Sequence, residues 1–303
     1  MIRFIDMFAG VGGFTVGARK VGMRPVWAGN HWVAARAAYK ANHGLEPAEE
    51  NLLCYNYALL PKHDLGLASP ACQGFADARG DDLPHHDACR ATPWAVVEYL
   101  RLCRPKLGCV VEEVEEFLLN ELYPAWKLAV EALGYAVAPH MIDAADHGVP
   151  QHRVRPYILL TPSKAPLFLK LPKRPHVPAS LILTDEAHGI WTLVSDKCAA
   201  TRARIEAGRK RWGRRRFLMV YYGTNRAGRS MARPLGTLPT RDRFAIVEGR
   251  YMRFLTVNEV RAGMGFPNDY QLPKNKKLAK HLLGNAVCPP VVADFLTALR
   301  KAA

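Results

Sequence analysis

The fold of this chain is decided by the stretch from Ile2 to Phe14, which reads IRFIDMFAGVGGF. Its apolar first half predicts a short buried β-strand. The glycines that follow let the backbone turn tightly and approach a ligand closely before a helix begins. In doubly wound α/β folds, a turn at the carboxyl end of a strand is where nucleotides bind. The stretch lacks the Gly-x-Gly-x-x-Gly spacing and a following Lys-Ser or Lys-Thr, so it supports neither a dinucleotide fold nor an ATP-binding loop.

Short apolar strands alternate with helical stretches over the first 160 residues. We place strands at 2–6, 25–28, 64–68, 108–112 and 155–160, and helices at 33–42, 93–103 and 124–133. This alternation predicts an α/β domain, namely a doubly wound and mostly parallel sheet with helices on both faces.

The composition changes after Leu160, where a segment rich in Pro, Arg and Gly begins. We therefore expect a catalytic and cofactor-binding domain over 1–160, a small basic domain over 161–250, and a C-terminal segment, 251–303, that packs back on the first domain. Within that last segment, Thr256 and Glu259 fit a helix capping box, and Pro289-Pro290 precede an apolar final helix.

Positive charge is concentrated in the predicted small domain. The 303 residues carry 42 Lys plus Arg against 27 Asp plus Glu, a net charge of +15. Residues 161–250 hold 19 of the basic and 6 of the acidic residues, so the rest of the chain is nearly neutral. A solvated basic face or a membrane patch is the alternative, but no amphipathic membrane helix accompanies the charge. The pattern favours nucleic acid as the partner.

Cysteine usage and hydropathy indicate the compartment. The seven cysteines include no Cys-x-x-Cys pair, which argues against a disulfide framework and a zinc knuckle. No run of about 18 uninterrupted apolar residues and no signal peptide is visible, so we expect a soluble cytoplasmic protein with no membrane partner. His85, His86 and Cys89 are spaced like metal ligands but lack a fourth, and we expect no metal site.

Four residues near predicted strand ends could carry chemistry. Cys72 follows strand 64–68 in a loop, where a stabilised thiolate can act as a nucleophile. Glu112 ends strand 108–112 and can exchange a proton once burial raises its pKa, although a helix-terminal acidic cluster is an alternative interpretation. Arg153 and Arg155 alternate before the last strand and suit oxyanion, phosphate or base-edge contacts.

In this order and at these spacings, the motifs resemble those of the DNA (cytosine-5)-methyltransferase family of bacteria and phages. The resemblance covers about residues 1–160 and 233–300. It rests on segments similar to the family's cofactor loop, Pro-Cys-Gln loop, Glu-Asn-Val motif, Gln-x-Arg-x-Arg motif, recognition-region end and Gly-Asn-x-Val motif: residues 8–13, 71–75, 112–114, 151–155, 233–241 and 284–287.

The resemblance implies an S-adenosylmethionine-dependent methyltransferase fold with a small target-recognition domain. It also implies that Cys72 adds to carbon 6 of a cytosine flipped out of duplex DNA, so that carbon 5 can attack the methyl group of S-adenosylmethionine. Glu112 would bind the nitrogen 3 and amino edge of the ring. Arg153 and Arg155 would hold the base oxygen, the phosphate and the cysteine loop.

The residues expected to contact ligands form two sets. The resemblance implies cofactor contacts from Phe8, Ala9, Gly10, Val11, Gly13, His31, Trp32, Asn51, Leu52, Ala71, Asn285 and Val287. Motif position and charge together predict DNA contacts from Gln73, Gln151, Arg209, Lys210, Arg211, Arg214, Arg215, Arg216, Thr240 and Arg241. We expect a monomer acting on double-stranded DNA near the bacterial nucleoid, encoded by the bacterium or a prophage and belonging to a restriction-modification system.

Several positions depart from the family's pattern. His31 and Asn51 stand where acidic residues usually grip the ribose and the adenine amino group, and Ala71, Ala76 and Glu113 replace Pro, Ser and Asn. Ordinary drift around an intact mechanism is one explanation. The same mechanism with a more acidic sulfonium cofactor, such as a carboxylated S-adenosylmethionine, is another. A catalytically weak DNA-binding relative and a tRNA methyltransferase stay open.

Overall fold

A computed structural model describes residues 1–71, 74–75, 84–183, 189–222 and 227–302. A central sheet of six strands organises the first half of the chain. These strands are β1 Arg3–Met7, β2 Arg24–Gly29, β3 Leu65–Ala68, β4 Cys109–Glu112, β5 Ala136–Asp143 and β6 Val154–Thr161. Their spatial order is β2-β1-β3-β4-β6-β5.

The sheet is mixed but mostly parallel. β1 pairs in parallel with β2 and β3, and β3 pairs in parallel with β4. β6 alone runs against its neighbours, β4 and β5. The predicted α/β class is therefore confirmed. The edge strand β5 was not among the predicted strands, because Pro139 and His140 interrupt its apolar pattern. An edge position tolerates proline because a ladder hydrogen bond is not required on its outer side.

Helices connect and cover these strands. They are α1 Gly13–Lys20, α2 Val33–His43, α3 Pro84–Ala91, α4 Trp94–Cys103, α5 Glu115–Leu119 and α6 Leu122–Ala132. Two hydrophobic clusters lie on either side of the sheet. One contains Phe4, Leu65 and Val110, and the other contains Ile5 and Val111, as expected from the alternation of side chains along strands.

A second, antiparallel sheet crosses the predicted boundary at residue 250, with its last strand in the predicted C-terminal segment. It consists of β7 Thr192–Leu193, β8 Phe217–Val220, β9 Phe244–Glu248 and β10 Tyr251–Phe254, in the order β7-β10-β9-β8. Helix α7, Ala199–Trp212, packs on it through Ile205 and Gly208. Leu218 and Ile246 belong to the same hydrophobic cluster as the central sheet, so one continuous core joins the two sheets.

The segment after β6 returns along the central sheet before it reaches the second one. The Leu169 N–H donates a hydrogen bond to His140 Nε2 over 2.8 Å. Further along, Arg174 forms an ion pair with Asp294. The first part of the predicted small domain thus packs against the catalytic half, and the boundary at residue 160 stays a prediction.

Three helices complete the chain: α8 Val257–Gly263, α9 Lys276–Gly284 and α10 Pro289–Ala302. The predicted capping box is confirmed, since the Thr256 side chain accepts from the Glu259 N–H while the Glu259 side chain accepts from the Thr256 N–H. α10 packs against α1. By length and mean hydropathy the segment Lys276–Ala302 could cross a membrane, but 72% of its apolar window is buried, as in the core helices of water-soluble proteins.

Candidate active site and cofactor cavity

A cavity of about 810 Å³ opens at the carboxyl ends of three neighbouring strands. Phe8, Asn30 and Ser69, the first residues after β1, β2 and β3, all line it. The link between α9 and α10 closes another side through Asn285 and Val287. The cavity therefore lies at the position where doubly wound sheets bind nucleotides.

The cavity gathers most of the residues predicted to hold a cofactor. Eleven of the twelve line it: Phe8, Ala9, Gly10, Gly13, His31, Trp32, Asn51, Leu52, Ala71, Asn285 and Val287. The exception is Val11, whose side chain is buried in the core. The Val11 carbonyl accepts a hydrogen bond from the Tyr270 hydroxyl, so this residue helps to hold the loop rather than the cavity wall.

Other residues that line the cavity were not predicted from the sequence. Glu50 is adjacent to predicted residues, and its position in the sequence could have indicated it. His281 lies about one helical turn before Asn285, and its ring meets that of Trp32 edge to face at 5.3 Å. Thr92, in the turn between α3 and α4, had no signal in the sequence.

Backbone conformation explains the glycine-rich loop. Phe8, Gly10 and Gly12 have φ angles of 57°, 53° and 86°, in the left-handed region that glycine tolerates best. Gly13 is required for a different reason. A Cβ on Gly13 would lie 2.2 Å from the Val287 carbonyl oxygen, so the loop and the last motif pack backbone to backbone.

Asp6 is the second-last residue of β1, just before this loop. It is fully buried, and its Oδ2 accepts a hydrogen bond of 2.7 Å from the Thr15 hydroxyl. Its Oδ1 has no partner among the described residues. Burial raises the pKa of Asp6 to about 7, which the hydrogen bonds from Thr15 only partly oppose.

Glu112 ends β4, on the strand next to β3, and is 7% exposed. Its Oε1 lies 3.9 Å from the Nε atom of Arg155. Burial raises the pKa of Glu112, while the positive charges of Arg153 and Arg155 lower it. A carboxyl group in this balance can hold a proton and release it, which suits a proton-exchanging role.

Arg153 and Gln151 are buried and hold separate segments of the chain together. The Arg153 guanidinium donates to the carbonyls of Leu238, Gly284 and Ala286 over 3.4, 3.1 and 3.3 Å. Gln151 was expected to contact DNA. Instead it is fully buried, accepting from the Leu238 N–H at 2.8 Å and donating to a carbonyl of α8.

The predicted nucleophile Cys72 and its neighbour Gln73 lie outside the described residues. The chain just before them is anchored to the cavity. The Ala71 N–H donates to the Thr92 hydroxyl over 3.0 Å, and the Ser69 hydroxyl donates to the Phe8 carbonyl over 3.2 Å. The start of the predicted nucleophile loop is thus attached to the loop that follows β1.

The basic residues predicted to contact DNA are of two kinds. Arg216 pairs with Glu248 at 2.6 Å, Arg209 donates to the Gly249 carbonyl at 2.7 Å, and the Arg211 guanidinium lies 5.0 Å from the centre of the Trp212 indole. By contrast, three are exposed without a side-chain partner in the described part of the chain: Lys210, Arg214 and Arg215.

Thr240 and Arg241 lie beside α9. A Cβ on Gly284 would be 2.7 Å from the Thr240 backbone nitrogen, so the two segments are in close contact. Burial lowers the pKa of His281, and the charges of Arg241 and Lys277 lower it further. Among the described residues, no cluster of His, Cys, Asp and Glu could hold a metal ion.

Comparisons with known proteins identify the family. The family model for C-5 cytosine-specific DNA methylase matches residues 2–301. The chain is 25% identical to the Type II methyltransferase M.NgoBI of Neisseria gonorrhoeae, over 96% of this chain and 91% of that protein. It is also 25% identical to M.NlaX of Neisseria lactamica, over 100% and 97%. The S. pombe Dnmt2 methyltransferase has the same fold, with a TM-score of 0.70, 16% identity and coverage of 99% and 98%. This chain belongs to the C-5 cytosine-specific DNA methylase family.

Proposed function

We propose that this protein is a DNA cytosine-5 methyltransferase that uses S-adenosylmethionine as methyl donor. The observation that carries the proposal is the joining of two features at one sheet edge. The cavity at the ends of β1 to β3 is walled by the predicted cofactor residues, and Glu112 with Arg155 lies at the end of the next strand. A methyl donor and a base-binding acid would thus be neighbours.

The cavity fits a nucleoside cofactor with a positively charged sulfur. Its size, about 810 Å³, is typical of small-molecule sites. Trp32 offers an aromatic face for adenine, and the turn at Gly10 and Gly13 lets the backbone approach the cofactor. The Asn51 side-chain oxygen, Oδ1, accepts a hydrogen bond from the Leu53 N–H at 3.1 Å, which fixes the Asn51 side chain on the cavity wall. When bound, the cofactor would supply an electrophilic methyl group.

Glu50 bears on the choice between the ordinary cofactor and a more acidic one. His31 and Asn51 remove two expected negative charges, but the Glu50 carboxylate lies on the same wall. A wall that keeps a carboxylate attracts a cationic sulfonium and repels an added carboxyl group. We therefore favour S-adenosylmethionine. Mass spectrometry of DNA treated with each cofactor should show only 5-methylcytosine, and a carboxymethylated base would overturn this choice.

The residues of this chain would act in sequence on a flipped cytosine. The Cys72 thiolate forms a bond to carbon 6 while Glu112, in its protonated form, donates to ring nitrogen 3. Carbon 5 would then accept the methyl group, whose bond to the sulfonium sulfur would break to leave a neutral thioether. The proton on carbon 5 would pass to a base, and the bond from Cys72 to carbon 6 would break as the aromatic ring is restored. Arg155 would stabilise the negative charge that develops on the base oxygen, and the raised pKa of Glu112 supports its role as the proton donor.

Arg153 has a different role in this proposal from the one that the motif alone suggests. Because its guanidinium contacts three backbone carbonyls, it would position Arg155 and the last motif without touching the base. Thr240, Arg241 and the exposed Lys210, Arg214 and Arg215 would contact DNA phosphates. Those contacts would offset the few kcal/mol that flipping a base out of the duplex costs.

The nucleophile is tested by replacing Cys72 with Ser and measuring methyl transfer from radiolabelled S-adenosylmethionine to duplex DNA. We expect no product and DNA binding within about threefold of wild type. Product formation at the wild-type rate would contradict the mechanism. Duplex DNA and tRNA offered together in the same assay identify the substrate, and we expect DNA to be methylated.

The biological setting is also a proposal. The names of the relatives, Type II methyltransferases, support a bacterial modification enzyme that acts on DNA in the cytoplasm, and we propose that it works as a monomer. Bisulfite sequencing of DNA from cells that express the protein would give the target sequence. A single methylated motif supports this assignment, whereas unmodified DNA would oppose it.

A further inference from the structure

Glu113, the residue after Glu112, is a second buried carboxyl group that the mechanism above does not use. It is 1% exposed. Its Oε2 accepts a hydrogen bond of 3.1 Å from the Val114 N–H, and its own N–H donates to the Pro156 carbonyl. Its Oε1 has no partner among the described residues. Glu113 therefore lies inside the turn between β4 and α5, and one of its oxygens has no hydrogen-bond partner in the part of the chain that the structure describes.

This turn links Glu112 to helix α5, which in turn contacts the segment around the predicted nucleophile. Val114, held by Glu113, is the N-cap residue of α5. On α5, Phe117 packs edge to face against Phe75 with ring centres 5.1 Å apart. Phe75 is the last residue of the predicted Pro-Cys-Gln loop, 71–75. A change at Glu113 can thus alter the position of Glu112 on one side and of the Phe75 segment on the other.

The surroundings of Glu113 oppose a negative charge. Glu112 at the end of β4 and Glu116 on α5 act on it with negative charge, Cys89 lies near it on α3, and Arg155 on β6 opposes them with positive charge. Burial raises the pKa of Glu113 well above its ordinary value, with a further contribution from Glu112. A neutral carboxylic acid donates one hydrogen bond and accepts others, as an amide does. It can therefore replace the Asn that the family motif has here.

We propose that Glu113 is a positioning residue that works as a neutral carboxylic acid, holding the β4–α5 turn so that Glu112 meets the base. Loss of its proton in alkaline solution places an uncompensated charge inside the turn and displaces Glu112. This role in turnover rests on the proposed function, whereas the protonation of Glu113 does not. The tests below separate the two.

The first test measures protonation without any substrate. In an infrared difference spectrum of wild type minus Glu113→Gln at neutral pH, we expect the carbonyl band of a protonated carboxylic acid. Glu115→Gln, which alters an exposed carboxylate of the same turn, should show only the loss of a carboxylate band. A carboxylate band at Glu113 would overturn the proposal whether or not the protein is an enzyme.

The second test measures turnover against pH. Glu113→Gln keeps the shape and cannot ionise, so we expect its kcat at neutral pH to be within about threefold of wild type. We expect the kcat of this variant to decline less steeply in alkaline solution than that of wild type, because the ionisation of Glu113 has been removed. Glu115→Gln should follow the wild-type profile. Identical alkaline profiles for wild type and Glu113→Gln would overturn the positioning role.

Discussion

Three carboxyl groups at the functional edge of the sheet are kept away from water. Asp6 lies near the end of β1, Glu112 ends β4 and Glu113 follows it, and each is at most 7% exposed. Burial is the largest influence on the pKa of all three, and it raises each one. Sequence alone indicated Glu112 through its motif, but it could not show that Asp6 and Glu113 are buried, each with one oxygen that finds no partner among the described residues.

Replacing Asp6 by Asn should change how stability depends on pH. Because the folded state raises the pKa of Asp6 from 3.8 to about 7, its stabilising contribution is complete below pH 3.8 and is lost as pH rises to about 7. Wild type should lose up to roughly 4 kcal/mol relative to Asp6→Asn across that range, at about 1.4 kcal/mol per unit. Denaturant unfolding at several pH values measures this. Parallel curves of unfolding free energy against pH for wild type and Asp6→Asn would contradict this prediction.

Gly13→Ala should push the glycine-rich loop away from the Gly-Asn-x-Val motif, residues 284–287. The new Cβ would meet the Val287 carbonyl at 2.2 Å, and neither backbone segment can move freely. We expect a loss of roughly 1–3 kcal/mol in stability, typical of overpacking, and at least tenfold weaker cofactor binding by calorimetry. Gly22→Ala is the control for destabilisation away from the cavity: a Cβ there meets nothing within 4 Å, and the φ angle of 79° should cost roughly 1–2 kcal/mol of stability without changing cofactor affinity. Unchanged cofactor affinity in Gly13→Ala would contradict the packing argument.

At the scale of secondary structure, short patterns predicted the elements that have a local cause. The capping box of α8 and the strands β1 to β4 follow from side chains near in sequence. β5 was not predicted because its place at the sheet edge permits Pro139, and a sequence pattern cannot show which strand lies at an edge. The partners of Arg153 escaped for a similar reason, since they lie 85 to 133 residues further along the chain.

Mutation of the two arginines of the Gln-x-Arg-x-Arg motif should affect different properties, stability for Arg153 and turnover for Arg155. Arg153→Gln leaves buried carbonyls without donors, so we expect a loss of roughly 2–4 kcal/mol in unfolding free energy. Arg155→Gln, on a partly exposed residue beside Glu112, should cost less stability but lower kcat at least tenfold. Denaturation and methyl-transfer assays on both variants measure this. The reverse pattern would show that Arg153 is the one acting on the base.

At the scale of the whole molecule, the charge predicted from the sequence as a DNA contact surface is only partly available. Arg216 and Arg209 are engaged with Glu248 and the Gly249 carbonyl. Arg214 and Arg215 lie between them in the chain and are exposed. The sequence shows which segment carries the charge, but only the fold shows which of its side chains are already engaged within the protein.

The salt dependence of DNA binding should reveal this division. Each phosphate contact contributes about 0.9 to the slope of log affinity against log salt. Arg214→Gln with Arg215→Gln should therefore reduce the slope by about 2, whereas Arg209→Gln with Arg216→Gln should change it by less than about 1. Fluorescence anisotropy with a duplex over a range of NaCl concentrations gives both slopes. Equal reductions would show that the internal pairs open on binding.

The sequence by itself determined the α/β class, the order of the functional loops and the segment that carries the charge. Those properties depend on residues that are close in the chain, such as the turn from Phe8 to Gly13. Only the tertiary structure decided that His281 and Glu50 share a wall with Trp32, that Gln151 is buried, and that one oxygen of Glu113 lacks a partner within the described ranges. The physical reason is that burial and distant hydrogen bonds exist only once separate segments pack together.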